Sequence, residues 1–187
     1  MLVIKPLLPG EPLPREIDAR TLCGDTVSVQ VTRSGFALSY MPTGTAQWRS
    51  FPYSEYAEEI LAGIIPDSFI LGAEQDGILV GILAARYCRS RWCEIHDLRI
   101  DTSCRMQGIG RTLLDACMRN AVRRDMEGLR IVVSDTNPAM CQFAQHCGFK
   151  LEGIDRLAYA MSPEERHKPM IRRASALIFY RQKERDS

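Results

Sequence analysis

Charge of one sign, paired cysteines, clustered histidines and long apolar runs are all missing from this 187-residue chain. Its 24 basic and 23 acidic residues leave a net charge of +1. No broad field therefore recruits nucleic acid or an anionic membrane, and the expected partner is small. No stretch approaches the ~18 apolar residues that a membrane span requires. Met1-Leu2-Val3-Ile4 is followed at once by Lys5 and Pro6, too short for the apolar region of a secretory signal, so the expected location is the cytoplasm. Seven cysteines, an odd set with no C-x-x-C pair, fit neither a disulfide framework nor a zinc site. Three scattered histidines (His96, His146, His167) lack metal spacing, so no catalytic metal is expected.

What is present is the composition of a globular protein, 45% apolar and 25% charged, with the length of one domain. The prolines of Pro6–Pro14 fix φ angles and remove donors, so residues 1–24 are expected to form an extended arm ahead of a domain at 25–187. Thr26–Val31 and Phe36–Met41, about Ser34-Gly35, read as a hairpin, and Tyr53–Gly63 as a short helix stopped by Gly63 and Pro66. Phe69–Glu74 and Ile78–Tyr87 flank the turn Gln75-Asp76-Gly77, and a third strand runs from Arg91 to Ile100. Ile109, Leu113, Leu114, Cys117, Met118, Ala121 and Val122 then recur at helical spacing. A strand at Leu129–Ser134, a helix carrying Met140, Phe143, Ala144 and Cys147, and strands at Phe149–Tyr159 and Ala174–Arg181 complete the chain. The expected class is α/β (α+β): a mixed, mostly antiparallel sheet flanked by helices. Two chains pairing through their last strands would make a homodimer.

Between the third strand and the long helix lies Arg105-Met106-Gln107-Gly108-Ile109-Gly110. The first N–H groups of a helix have no intrahelical partner, glycines let an anion approach the backbone, and the helix dipole favours negative charge, so the turn suits a pyrophosphate. Arg105 and Arg111 add charge. Leu113 stands where a Rossmann fingerprint wants a third glycine, and no Gly-Lys-Ser/Thr follows, so both common nucleotide motifs are disfavoured.

Asp97-Leu-Arg-Ile-Asp101, Arg105-x-x-Gly108-x-Gly110, Asn137-Pro-Ala and Gly148-Phe149 together resemble the GNAT superfamily of N-acetyltransferases over about half of the chain. Asp135-x-Asn137, Cys141-x-Phe143, Leu157-Ala-Tyr159 and Ala176–Tyr180 are similar in pattern to streptothricin acetyltransferases. The resemblance implies acetyl-CoA as co-substrate and a small primary amine as acceptor, streptothricin-like or aminoglycoside-like, with antibiotic resistance as the role. It implies pyrophosphate held by Arg105, Met106, Gln107, Gly108, Ile109, Gly110 and Arg111. The pantetheine arm would lie along Leu98, Arg99 and Ile100, with Asn137 and Phe143 near the acyl end. A non-catalytic acyl-CoA sensor and an acetyltransferase of protein N-termini or lysines are the alternatives.

Acyl transfer to an amine needs a base for the ammonium and an acid for the departing thiolate. Glu94, His96 and Asp97 share one strand. Strict alternation puts Glu94 and His96 with Leu98 and Ile100 on one face and Asp97 on the other. Glu94 is the first choice of base, with Asp97 beside it; Asp97, Asp135, Glu152 and Asp155 could attract an ammonium. Many relatives in the family carry an acid tyrosine where Ala144 follows Phe143 here, leaving Tyr159, Cys141 or water for that role. Trp48, Phe51, Tyr53 and Tyr56 read as the anchor of a short helix.

Overall fold

The computed structural model describes residues 1–11, 16–51, 55–158 and 174–184. Among these are strands β1 (Leu2–Leu7), β2 (Thr21–Thr32), β3 (Gly35–Arg49), β4 (Ser68–Gln75), β5 (Ile78–Tyr87), β6 (Trp92–Ile100), β7 (Gly128–Ser134), β8 (Lys150–Asp155) and β9 (Ala176–Gln182). The helices are α1 (Glu55–Leu61), α2 (Ile109–Arg123) and α3 (Pro138–His146). Seven strands hydrogen-bond in the order β1-β4-β5-β6-β7-β9-β8, while β2 and β3 form a two-stranded ribbon. The β1–β4, β4–β5, β5–β6 and β8–β9 pairs are antiparallel and β6–β7 is parallel. The mixed, mostly antiparallel α/β architecture expected from the sequence is therefore the one adopted. Among the described residues no helix is long and apolar enough to cross a membrane.

The chain divides into two compact units, Met1–Thr21 with Arg49–Ile131 and Arg181–Ser187, and Leu22–Trp48 with Val132–Tyr180. In the first, Leu2–Leu7 is an edge strand on β4 rather than part of an arm, with Pro6 opposite Leu71. An edge position tolerates the missing proline donor, because only one side of the strand carries a ladder. Facing pairs across β4 and β5 sort the sheet into two surfaces. Ile82 and Ala84 of β5 meet Ile60 and Leu61 of α1 and the buried Ile17 on one surface. On the other, Gly81 is packed tightly enough that an added Cβ would come within 3.4 Å of Leu113 of α2. Cys93 and Cys117, both fully buried, lie Sγ to Sγ 3.8 Å apart across β6 and α2. The core thus lies on both surfaces of the sheet, with Leu113, Leu114 and Cys117 of α2 recurring at helical spacing on the second.

Gly128 opens β7 at φ 154. A Cβ there would stand 2.1 Å from the backbone oxygen of Arg181, so no side chain fits unless backbone moves. Gly128→Ala is expected to destabilise the fold by about 3 kcal/mol, seen in a thermal melt as a fall in Tm of about 6–12 °C.

In the second unit, the β2–β3 ribbon is longer than the hairpin expected at Thr26–Met41, running from Thr21 to Arg49. Gly24 lies against Ala46, where an added Cβ would meet the alanine Cβ at 3.2 Å. α3 starts at Asn137, whose Oδ1 accepts from the Met140 N–H at 3.1 Å, with Pro138 at the first helical position. Both are favourable starts for a helix, the cap satisfying an orphan donor and the proline presetting φ.

Candidate active site

β6 delivers the chain into a tight turn. Asp101, 6% exposed, caps a single 3-10 turn by accepting from the Ser103 N–H at 3.1 Å and the Ser103 hydroxyl at 2.7 Å. Arg105 then donates its Nε–H to the Ile100 carbonyl at 3.2 Å and Nη1 to the Thr21 hydroxyl at 3.5 Å. Met106, at φ 59, is fully exposed. Gly108 is the N-cap of α2 at φ 79, in the left-handed region where a side chain is strained. No side chain caps the start of α2, and a Cβ on Gly108 would meet nothing within 4 Å. The result is an uncapped helix start beneath open space, lined by Met106, Gln107, Gly108 and Arg111, all exposed. Ile109 and Gly110 are buried in the core, so only their backbone is available to a ligand. Burial pushes Arg105 below its usual value, opposed by Asp18 and Asp101; it remains a cation near neutral pH.

The acids of β6 are sorted by a bulge. Ala85 pairs with Ile95 but Ala84 with Asp97, so His96 is the extra residue. Arg86, Ala84 and Ile82 alternate on one face of β5, and their partners Glu94, Asp97 and Arg99 therefore share a face. Cys93, Ile95, Leu98 and Ile100 share the opposite one. This corrects the strict alternation, which put Asp97 opposite Glu94 and grouped Glu94 with Leu98 and Ile100. Past Ile95↔Ile131 the parallel ladder to β7 stops while β6 runs on to Ile100.

Glu94 accepts from Arg130 Nη1 and, at 3.3 Å, from the Cys88 thiol, with His96 Nε2 3.9 Å away. It is a carboxylate engaged by a guanidinium. His96 lies against the Tyr56 ring at 5.3 Å. Burial lowers its pKa, and Arg86 and Arg130 act in the same direction against Glu94, so the imidazole is neutral near pH 7. Asp97 is 10% exposed and accepts from Arg99 Nε at 2.8 Å, while Arg99 Nη2 reaches the Phe51 carbonyl at 3.0 Å. Burial raises the Asp97 pKa, and the Arg99 charge and hydrogen bond pull against it. Asp97 is thus a half-buried carboxylate whose affinity for a proton is increased by its surroundings.

In the second unit, the Asn137 side chain is committed to capping α3. Phe143 is half-buried and Ala144 fully buried, so no hydroxyl stands at that position. Cys141 is buried and its thiol is pushed up to about 12, chiefly by burial and then by Asp135. Such a thiol is no nucleophile near neutral pH, and iodoacetamide is expected to spare it in the folded protein, which peptide mass mapping would read. Tyr40 of β3, which sequence reasoning did not single out, donates its hydroxyl to Gln145 Oε1 at 2.6 Å and is also pushed up to about 12 by burial. Nothing local in β3 marks it, because its partner is 105 residues away. Asp135 is buried, whereas Glu152 and Asp155 on β8 are exposed. Tyr159 and Tyr53 lie outside the described residues. Among the described residues no group of three His, Cys, Asp or Glu side chains could hold a metal ion.

Residues 37–149 match the model of the acetyltransferase (GNAT) family. A streptothricin acetyltransferase of Escherichia coli is 28% identical over 98 residues, 52% of this chain and 56% of the relative, so the chain matches little more than half of that protein's length. Among solved structures, a candidate streptothricin acetyltransferase of Bacillus anthracis in complex with acetyl coenzyme A superposes with TM-score 0.80 at 21% identity, covering 98% of this chain and 100% of that one. A nourseothricin acetyltransferase superposes with TM-score 0.74 at 22% identity, covering 97% and 98%. At these identities the structures establish a common fold.

Proposed function

Because the chain belongs to the acetyltransferase (GNAT) family, we propose that it carries the acetyl group of acetyl-CoA to a primary amine of a small molecule, by direct transfer in a ternary complex. The observation that supports this best is the uncapped start of α2 at the left-handed Gly108, open above and flanked by Arg105 and Arg111. There the backbone N–H groups and the helix dipole suit the pyrophosphate of the donor, with Met106, Gln107, Ile109 and Gly110 supplying the rest of the turn. By resemblance to the family, the pantetheine arm lies along Leu98, Arg99 and Ile100 of β6.

In the reaction the amine nitrogen attacks the thioester carbonyl, the C–S bond breaks, and CoA leaves as the thiolate. One proton leaves the amine and one is returned to sulfur. Asp97 takes the first: burial raises its pKa, which suits a general base, while Glu94 holds Arg130 and lines the same face of β6. Tyr159 is the proposed donor to sulfur. A thiolate is also a tolerable leaving group by itself, so the fully buried Ala144 in place of a tyrosine does not block the chemistry. No acyl-cysteine is involved, and Cys141→Ala is expected to turn over at the wild-type rate in a thiol-release assay.

The acceptor is a streptothricin-like amine, a reading that draws on the name of the 28% identical relative. CoA-thiol release across streptothricin, aminoglycosides, polyamines and N-terminal peptides tests it. Turnover with streptothricin at low concentration supports the reading; turnover confined to peptides would replace the acceptor.

A further inference from the structure

The stretch before β2 is tied to the turn that precedes α2. Ile17 is 7% exposed, buried with Leu79 and Ile82. Behind this anchor, the Thr102 N–H donates to the Asp18 carbonyl at 2.8 Å, and the Thr102 hydroxyl donates to Asp18 Oδ2 at 3.2 Å. Three residues on, Arg105 Nη1 reaches the Thr21 hydroxyl at 3.5 Å. The Asp18 carboxylate is itself held by Arg20, through Nε at 2.9 Å to Oδ1 and Nη2 at 2.8 Å to Oδ2. A turn that carries the left-handed Met106 and Gly108 is thereby braced from outside, at Thr102 and Arg105, in addition to its own Asp101 cap.

We propose that Asp18 is a positioning residue for the acyl-donor site: it sets the Thr102–Arg105 turn, and so the affinity for the donor's pyrophosphate, without touching the reacting atoms. This rests on the reading of the Gly108 turn as the pyrophosphate site. The carboxylate also keeps Arg105 company electrostatically, opposing the effect of burial on its charge. An unbraced turn samples other conformations, and each binding event must then order it, which lowers affinity for the group it cradles and for nothing else.

The test compares Asp18→Ala, Asp18→Asn and Thr102→Val with the parent, using acetyl-CoA and S-acetyl-pantetheine, which lacks the pyrophosphate, as donors. Losing a hydrogen bond to a charged group is worth about a tenfold change in affinity. Asp18→Ala and Thr102→Val are therefore expected to raise the Kd and KM for acetyl-CoA about that much. The kcat and the amine KM at saturating donor stay unchanged, as does the KM for S-acetyl-pantetheine. Asp18→Asn, which retains an acceptor for the Thr102 hydroxyl, recovers part of the loss. Equal losses with both donors, or a fall in kcat alone, would overturn the proposal, as would unchanged acetyl-CoA affinity in folded variants. Gly108→Glu serves as the control: if it too leaves acetyl-CoA binding intact, the turn reading has failed. If it abolishes binding while Asp18→Ala does nothing, only the bracing role is lost. Should Asp18→Ala fail to fold by circular dichroism, Thr102→Val decides.

Discussion

Replacing Asp97 by asparagine is expected to lower kcat by about 10²–10⁴-fold, the usual worth of a positioned general base, while leaving acetyl-CoA affinity as it is. Asparagine keeps an acceptor for Arg99 Nε, which bonds Asp97 at 2.8 Å, and leaves the Arg99 bond to the Phe51 carbonyl in place. The local frame thus survives while the proton acceptor is lost. The pH profile gives a second readout. Burial raises the Asp97 pKa, so the acid limb of kcat/KM is expected to fall at a pH above that of an ordinary aspartate, and to vanish in Asp97→Asn. The same shift has a sign for stability. The folded chain holds this proton more tightly than the unfolded one, so this group favours folding below the unfolded pKa and loses that contribution as pH rises through the folded value. Glu94→Gln is expected to slow turnover less, by loosening Arg130. A full rate in Asp97→Asn together with a collapse in Glu94→Gln would exchange the two roles.

The second large effect is on the donor. Gly108→Glu forces a side chain into φ 79 at the start of α2 and places a carboxylate where phosphate oxygens would lie. The left-handed conformation costs about 1–2 kcal/mol, and like-charge repulsion in the same site adds to it. Together they predict a rise in the acetyl-CoA Kd of about 100-fold or more, read by calorimetry on a variant whose melting curve shows it folded. The Cβ itself meets nothing within 4 Å, so the loss is not a packing effect.

The sequence carried most of the architecture where local signals and tertiary pairing agree. The Asp76-Gly77 turn between β4 and β5, the apolar face of α2, and the Asn137-Pro138 start of α3 are all written in a few adjacent residues. The turn before α2 was legible for the same reason, since two glycines at a strand-to-helix junction permit a positive φ and expose donors locally. The face of Asp97 was not legible. It depends on the bulge at His96, which exists only because Ala84 and Ala85 pair with Asp97 and Ile95, and no residue in β6 announces it. Pro6 argued for an arm, yet a strand with only one ladder accommodates it. The hairpin expected to end at Met41 instead continues as a ribbon through Pro42 and Gly44 to Arg49. Tyr40 and Asp18 act through partners 105 and 84 residues away, a separation that no periodicity reports.

Direct acetyl transfer to an amine is tested by a single turnover with acetyl-labelled acetyl-CoA and streptothricin, followed by mass analysis of both antibiotic and protein. Label is expected in an amide of the antibiotic, with stoichiometric free CoA and none on the protein. Label retained on a cysteine, or tight acetyl-CoA binding with no labelled amine, would contradict it.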